Sequence, residues 1–296
     1  MEEFEHYVPT TLEEVIKLLI KFGRAAKLLA GGTDLLVFMR QRRITPTCII
    51  ELSRIRDLTA IEEKQEGLFV GACVRLGEIE RNSLIRRLFI HVAEAAGNVG
   101  SMQIRNLATI GGNICTASPA GDMIPALMVS DAQLHIVGVK GRRIIPISEF
   151  FKGPGETTLE ETDVLVGIYL PLPKPNTGTA FIKLGVRGAM DISIANVAAR
   201  VTLNGTLQRV EEVRVALGSV APTVILSKSV ERHLVGASVK EAIEGLIEKA
   251  ADSVMDEVKP ITDHRASAQY RRLMAAVLTK RALRIALQRA MEKSMV

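Results

Sequence analysis

Lys27-Leu28-Leu29-Ala30-Gly31-Gly32-Thr33-Asp34 is a short apolar run that ends on two adjacent glycines, and an apolar helical pattern from Leu35 to Gln41 begins directly behind it. Strand, glycine turn and helix start, in that order, mark an α/β unit. Paired glycines after a strand let the backbone approach a bulky anion with no Cβ in the way, and positive φ turns successive N–H groups toward it. A helix starting at once adds its unpaired amides and the positive end of its dipole. A pyrophosphate is the usual guest, although glycine pairs also serve as plain turns in many α/β proteins.

A second such stretch is Ala108-Thr109-Ile110-Gly111-Gly112-Asn113, which runs on into Thr116-Ala117-Ser118-Pro119-Ala120-Gly121-Asp122 and an apolar helix near Ile124–Val129. It reads as the same arrangement of strand, glycines and helix start, and two such loops could grip one dinucleotide. The sequence has no G-x-x-x-x-G-K-[ST], and no G-x-G-x-x-G opens a helix after a strand, which argues against a P-loop ATPase and a Rossmann dehydrogenase. Gly153-Pro154-Gly155 reads as a turn.

Outward from these loops, Leu12, Val15, Ile16, Leu19 and Ile20 repeat at helical spacing over residues 11–22, with Thr11 and Glu14 as a capping box and Gly23 as the stop. Strands are expected at Cys48–Leu52, Leu68–Ala72, Gln133–Val139, Arg142–Ile147 and Leu165–Leu170, with a helical stretch over Leu84–Ala96. Pro171-Leu172-Pro173-Lys174-Pro175-Asn176 is the best linker signal. Beyond it, Val197–Leu203 and Leu207–Leu217 alternate around Asn204-Gly205, the signature of a two-residue hairpin. Helices follow at Ser238–Met255 and Ala266–Glu292, the latter with a stripe of Tyr270, Leu273, Met274, Val277, Leu278, Ile285 and Ala286. Arg271, Arg272, Lys280, Arg281 and Arg284 lie beside that stripe, as a solvated face or one turned toward a partner. The pattern predicts an α+β chain with a boundary near residue 175.

The 296 residues are 47% hydrophobic, enough for a sizeable core or two ordinary domains. A net charge of +5 spread along the chain, with 4% aromatics and no Trp, points away from nucleic acid. The acidic first residues lack the pattern of a secretory signal and no apolar run reaches membrane-spanning length, so the cytoplasm is expected. Cys48, Cys73 and Cys115 stand far apart without a C-x-x-C, so any metal is expected on another chain. His6, His91, His135, His233 and His264 are equally scattered, and no nucleophile or catalytic acid stands out.

Leu29-Ala30-Gly31-Gly32-Thr33-Asp34-Leu35 and Thr109-Ile110-Gly111-Gly112-Asn113 resemble the paired FAD-binding loops of the flavin subunit in the xanthine dehydrogenase and aerobic carbon monoxide dehydrogenase family of molybdenum hydroxylases. The resemblance continues through Asn113 to Asp122, through Phe150-Phe151-Lys152-Gly153-Pro154-Gly155, and through Ala180-Phe181-Ile182-Lys183 with Arg187 and Asp191. It reaches Asp263, Arg265, Ser267, Ala268, Tyr270 and Arg271.

The resemblance implies a two-lobed FAD-binding α/β region of the vanillyl-alcohol-oxidase (PCMH) type over 1–175, with lobes of about 1–55 and 56–175, then a smaller sheet-plus-helices domain over 176–296. It implies that Leu29, Ala30, Gly31, Gly32, Thr33 and Asp34, with Thr109, Ile110, Gly111, Gly112 and Asn113, hold the pyrophosphate and its neighbouring atoms. Thr116 and Asp122 would hydrogen-bond nearby parts of FAD, and Val166 and Lys183 would lie near the isoalloxazine. A cation there stabilises a ring that gains negative charge on reduction; otherwise Lys183 is a solvated surface lysine and Asp122 a helix N-cap. The implied partners are a molybdopterin-binding large subunit, a [2Fe-2S] small subunit and an external electron acceptor, in a dimer of heterotrimers. No cysteine-rich insertion for a further cluster and no NAD-binding signature are seen. Two rivals are a self-contained FAD-dependent oxidase or reductase of the same fold and a scaffold that has lost its cofactor. A scaffold has no obvious use for four loop glycines and Asn113.

Overall fold

The computed structural model describes residues 3–292. The chain folds as two compact units: the first takes residues up to 78 with 102–117 and 131–171, and the second takes 79–101, 118–130 and the chain from 172 onward.

In the first unit, Glu5–Tyr7, Cys48–Glu51 and Ala26–Leu29 form a parallel sheet with Cys48–Glu51 in the centre. The central strand is apolar because both its faces are covered. One cover is the helix Leu12–Phe22, whose Leu12, Val15 and Leu19 pack in the cluster with Cys48, Ile50 and Leu58. Thr11 caps it by accepting from the Glu14 N–H at 3.2 Å. The expected return bond goes one residue further back, from the Thr10 N–H to Glu14 at 2.8 Å, so the cap is shared by two threonines. Gly23 ends the helix at φ 52°.

The same unit holds an antiparallel sheet in the order Ile61–Lys64, Gly67–Gly71, Val164–Pro171, Gln133–Gly138, Gly141–Pro146. The strands expected at Cys48–Leu52, Leu68–Ala72, Gln133–Val139, Arg142–Ile147 and Leu165–Leu170 are all present, whereas the one expected ahead of the second glycine pair is not. Glu5–Tyr7 and Ile61–Lys64 were not anticipated, because both are short and mostly polar edge strands.

The second unit is a sheet of consecutive antiparallel strands, Thr177–Leu184, Ala195–Leu203, Val210–Gly218 and Ile225–Leu226, covered by the helix Ala268–Glu292. Four expectations are corrected here. Asn204-Gly205 is not a two-residue turn: the strands are joined by residues 204–209, where Asn204 Oδ1 accepts from the Gln208 and Arg209 amides at 3.1 and 3.2 Å. An Asn side chain that mimics a backbone turn has replaced the tight hairpin. The helix expected over Ser238–Met255 is broken at Gly245, with φ 144°. That over Leu84–Ala96 divides at Phe89 into Ser83–Leu88 and Ile90–Gly97. In the long helix, Tyr270, Leu273 and Ile285 are exposed, and the buried face is Ala275, Ala276, Leu278, Thr279, Ala282, Leu283, Ala286, Leu287 and Ala290.

Candidate functional site

The predicted site residues fall into two constellations. In the first unit the two glycine segments meet. A Cβ on Gly31 would collide with the Leu107 carbonyl oxygen, so that glycine exists to let the second segment's backbone pass. Thr116 Oγ donates to Asp34 Oδ2 at 2.8 Å, tying the segments side chain to side chain.

The two segments are built differently. The first follows a strand, as expected, and turns into the helix Leu35–Arg40. Among the described residues, the N–H groups of Gly31, Gly32, Thr33 and Asp34 have no hydrogen-bond acceptor. A half-exposed run of free amides is the group an anion would complete. The second does not follow a strand: Thr109 is the N-cap of the helix Ile110–Cys115, so both its glycines lie inside the first helical turn. Its amides are already engaged, Ile110 with Val74 O at 3.0 Å, Gly111 with Ala72 O at 2.8 Å and Gly112 with Thr109 Oγ at 3.1 Å. The expected supply of unpaired amides is therefore met mainly by the first loop; in the second, among the described residues, the Thr109 N–H has no acceptor.

The glycines sort the same way. A Cβ on Gly111 would meet Ala72 at 2.7 Å, and Gly32 has φ 71°. Gly31, Gly32 and Gly111 thus each answer to the fold, so a scaffold would have a use for three of the four. Gly112 does not: a Cβ there meets only Thr109 Oγ, at 3.0 Å. Beside it, Asn113 Oδ1 is buried without a hydrogen-bond partner, an acceptor that a bound group would satisfy. Free amides, an open glycine face and an orphaned acceptor fit a phosphate-bearing cofactor. Leu29 and Ala30 are half-buried at the end of their strand. Ile110 is fully buried. Val166 lies in the core at a β-bulge, its carbonyl accepting from the Ala72 N–H at 2.9 Å.

The second constellation is in the second unit. Lys183 has a side chain only 8% exposed, and its ammonium donates to Asp122 Oδ2 at 2.6 Å, Asn98 O at 2.9 Å and Asp191 O at 2.9 Å. It is no solvated surface lysine. Asp122 stands at the N-cap position of Met123–Val129 but its side chain does not cap the helix. It accepts instead from Lys183, from Ser193 Oγ at 2.6 Å and from Asn196 Nδ2 at 2.9 Å. Ser193 and Asn196 escaped sequence reading because they lie 71 and 74 residues from the carboxylate they hold. Asp191 folds its own loop by accepting from the Val186, Arg187 and Ile192 amides.

Asp263 and Arg271, from the last matching segment, also have structural work. Arg271 is buried rather than partner-facing, and its guanidinium reaches Ile194 O at 2.6 Å and Asp263 at 2.8 Å. Burial alone would raise the Asp263 carboxyl, but the hydrogen bond from Arg271 and those from the Arg265 and Ala266 amides pull it well below the usual range.

Two protein families match in tandem: "FAD binding domain in molybdopterin dehydrogenase" over residues 2–173 and "CO dehydrogenase flavoprotein C-terminal domain" over 180–286. The chain belongs to the flavin-subunit family of molybdenum hydroxylases. Among its relatives is the carbon monoxide dehydrogenase medium chain of Hydrogenophaga pseudoflava, 35% identical and covering 96% of each chain. The xanthine dehydrogenase FAD-binding subunit of Escherichia coli O157:H7 is 33% identical, covering 92% of each. A solved structure of the Hydrogenophaga pseudoflava carbon monoxide dehydrogenase superposes with a TM-score of 0.92 at 33% identity, over 97% of this chain and 98% of that one. As a member of this family the chain carries an FAD-binding domain followed by a flavoprotein C-terminal domain, and it is an oxidoreductase subunit.

Proposed function

We propose that this flavin subunit is the electron relay of its complex, taking electrons from [2Fe-2S] clusters on a small partner subunit and delivering them to an external acceptor. Hydroxylation falls to a molybdopterin-binding large subunit. The observation that carries this reading is the run of acceptor-free amides at residues 31–34 together with the open face of Gly112, the makings of a dinucleotide cradle. FAD, when bound, supplies the redox chemistry, storing two electrons that arrive singly. The amides of 31–34 hold the pyrophosphate, Gly112 and Asn113 line its approach, and Leu29, Ala30, Thr109, Ile110 and Gly111 support them. Asp122 holds the Lys183 ammonium beside the isoalloxazine, and Val166 closes the apolar side. Relatives named for carbon monoxide and for xanthine resemble this chain over nearly all of its length, which supports assigning substrate choice to another subunit. We place the boundary of the cofactor-binding domain near residue 175 and the assembly, a dimer of heterotrimers, in the cytoplasm.

The test uses the full chain loaded with FAD. It should be reduced by dithionite yet oxidise no hydroxylase substrate by itself. Adding the molybdenum and iron–sulfur subunits should let substrate bleach the flavin absorbance. Rapid substrate oxidation by the lone chain would replace the relay with a self-contained oxidase.

A further inference from the structure

The first glycine segment ends in a carboxylate, which is an odd group to find at the edge of a site for an anion. Asp34 occupies the N-cap position of Leu35–Arg40, where an aspartate ordinarily accepts from its own helix's amides, and it makes no such bond. The only hydrogen bond to its side chain among the described residues is the one received from Thr116, 82 residues away. Thr116 in turn is the C-cap of Ile110–Cys115, the helix that contains Gly111 and Gly112. Its hydroxyl also lies 2.9 Å from Gly112 O, but that carbonyl already accepts the Thr116 N–H at 3.0 Å. The carboxylate is the stronger acceptor and takes the hydroxyl proton.

Resting on the assignment of the cradle to FAD, we propose that Asp34 and Thr116 form a latch between the glycine segments, positioning the free amides of residues 31–34 against Gly112 without either side chain binding the cofactor itself. The latch joins the start of one helix to the end of another, tying together two segments that each helix's own backbone bonds, from the Phe38 N–H to Asp34 O and from the Thr116 N–H to Gly112 O, hold only along its own axis. It also explains the acid: hydrogen-bonded to Thr116, the carboxylate is held to the second segment and need not point at the phosphates. Asp34 and Thr116 are positioning residues on this account.

Direct contact and positioning make opposite predictions in a double-mutant cycle read by FAD affinity of the full chain, measured from flavin fluorescence. A latch is lost once. Thr116→Val should weaken FAD binding by about five- to tenfold, and Asp34→Ala by a similar factor. The double variant should be no weaker than Thr116→Val alone, and Thr116→Ser, which keeps the hydroxyl, should bind as the parent does. If Thr116 touches the cofactor independently, the two losses multiply, and that overturns the latch. Tighter binding by Asp34→Ala overturns it too, since the carboxylate would then act only as a repelling charge. Gly112→Val separates the two levels of the argument. Parent-like affinity in that variant defeats the cradle assignment itself, whereas lost affinity in Gly112→Val with multiplying losses in the cycle defeats only the latch.

Discussion

Replacing Lys183 by Met removes a cation and leaves the buried Asp122 carboxylate without its counter-charge. Stranding one member of a buried pair costs roughly 3 kcal/mol, so the variant should be less stable in urea denaturation. On the proposed placement its flavin potential should also fall, because the negative reduced ring loses a nearby cation. Lys183→Met combined with Asp122→Asn should recover much of both losses, and a spectroelectrochemical titration with a raised or unchanged potential in Lys183→Met would place that lysine away from the ring. The glycines make a second contrast. Gly31→Ala collides with backbone at Leu107 and should destabilise the apoprotein by about 2 kcal/mol or more. Gly112→Ala should leave the apoprotein's melting temperature nearly unchanged and weaken FAD binding. Glycine pairs were legible in the sequence; which glycine served the fold and which faced open space was not, because that depends on Leu107 and Ala72, far away along the chain. Asp263 carries a pH signature. Its folded carboxyl titrates below its unfolded value of about 4, so the stability it contributes is complete above that value and drains away as pH falls through the folded one. Asp263→Asn should therefore lower the melting temperature at pH 7, and the gap from the parent should narrow steadily as pH is lowered below about 4.

At the scale of elements, the helix Ala268–Glu292 shows what periodicity conveys and what it withholds. Its existence and length were readable within two residues, yet Tyr270, Leu273 and Ile285 of the expected stripe face outward. The reason is closeness of packing. A Cβ on Gly178 in the strand beneath would strike the helix backbone at Ala286 and Ala290, so only alanine-sized residues fit along that seam. A pattern that ranks residues by hydrophobicity favours Tyr270 and Leu273 over alanines, so it finds Leu278 and Ala286 on the buried face but misses Ala275, Ala282 and Ala290 beside them. Gly178→Val should force helix and strand apart and cost about 3 kcal/mol, read as a lower urea midpoint. Leu273→Ala, on the exposed side, should shift it by less than about 0.5 kcal/mol. The Ser238–Met255 region failed for the converse reason: apolar spacing continues across Gly245, whose positive φ no hydrophobic pattern registers.

For the whole molecule, ligand linkage gives the simplest check on the cofactor. FAD at about a hundred times its dissociation constant should stabilise the chain by about 2.7 kcal/mol, seen as a melting temperature that climbs with added FAD and stops climbing in Gly112→Val. No helix among the described residues is long and apolar enough to cross a membrane. The second unit draws on residues 79–101 and 118–130 as well as those after 172, and that interleaving has a consequence for biosynthesis. At typical elongation rates the ribosome needs roughly 10 to 40 seconds to pass from residue 79 to the end of the closing helix. For the part of that interval between residue 129 and the completion of the sheet, Ile90–Gly97 and Met123–Val129, whose apolar side chains are buried in the finished protein, have been made while the strands that pack on them have not. The nascent chain thus emerges with sticky segments awaiting their cover, and a stalled chain released before residue 177 should be held by chaperones, whereas one carried past 292 should let them go.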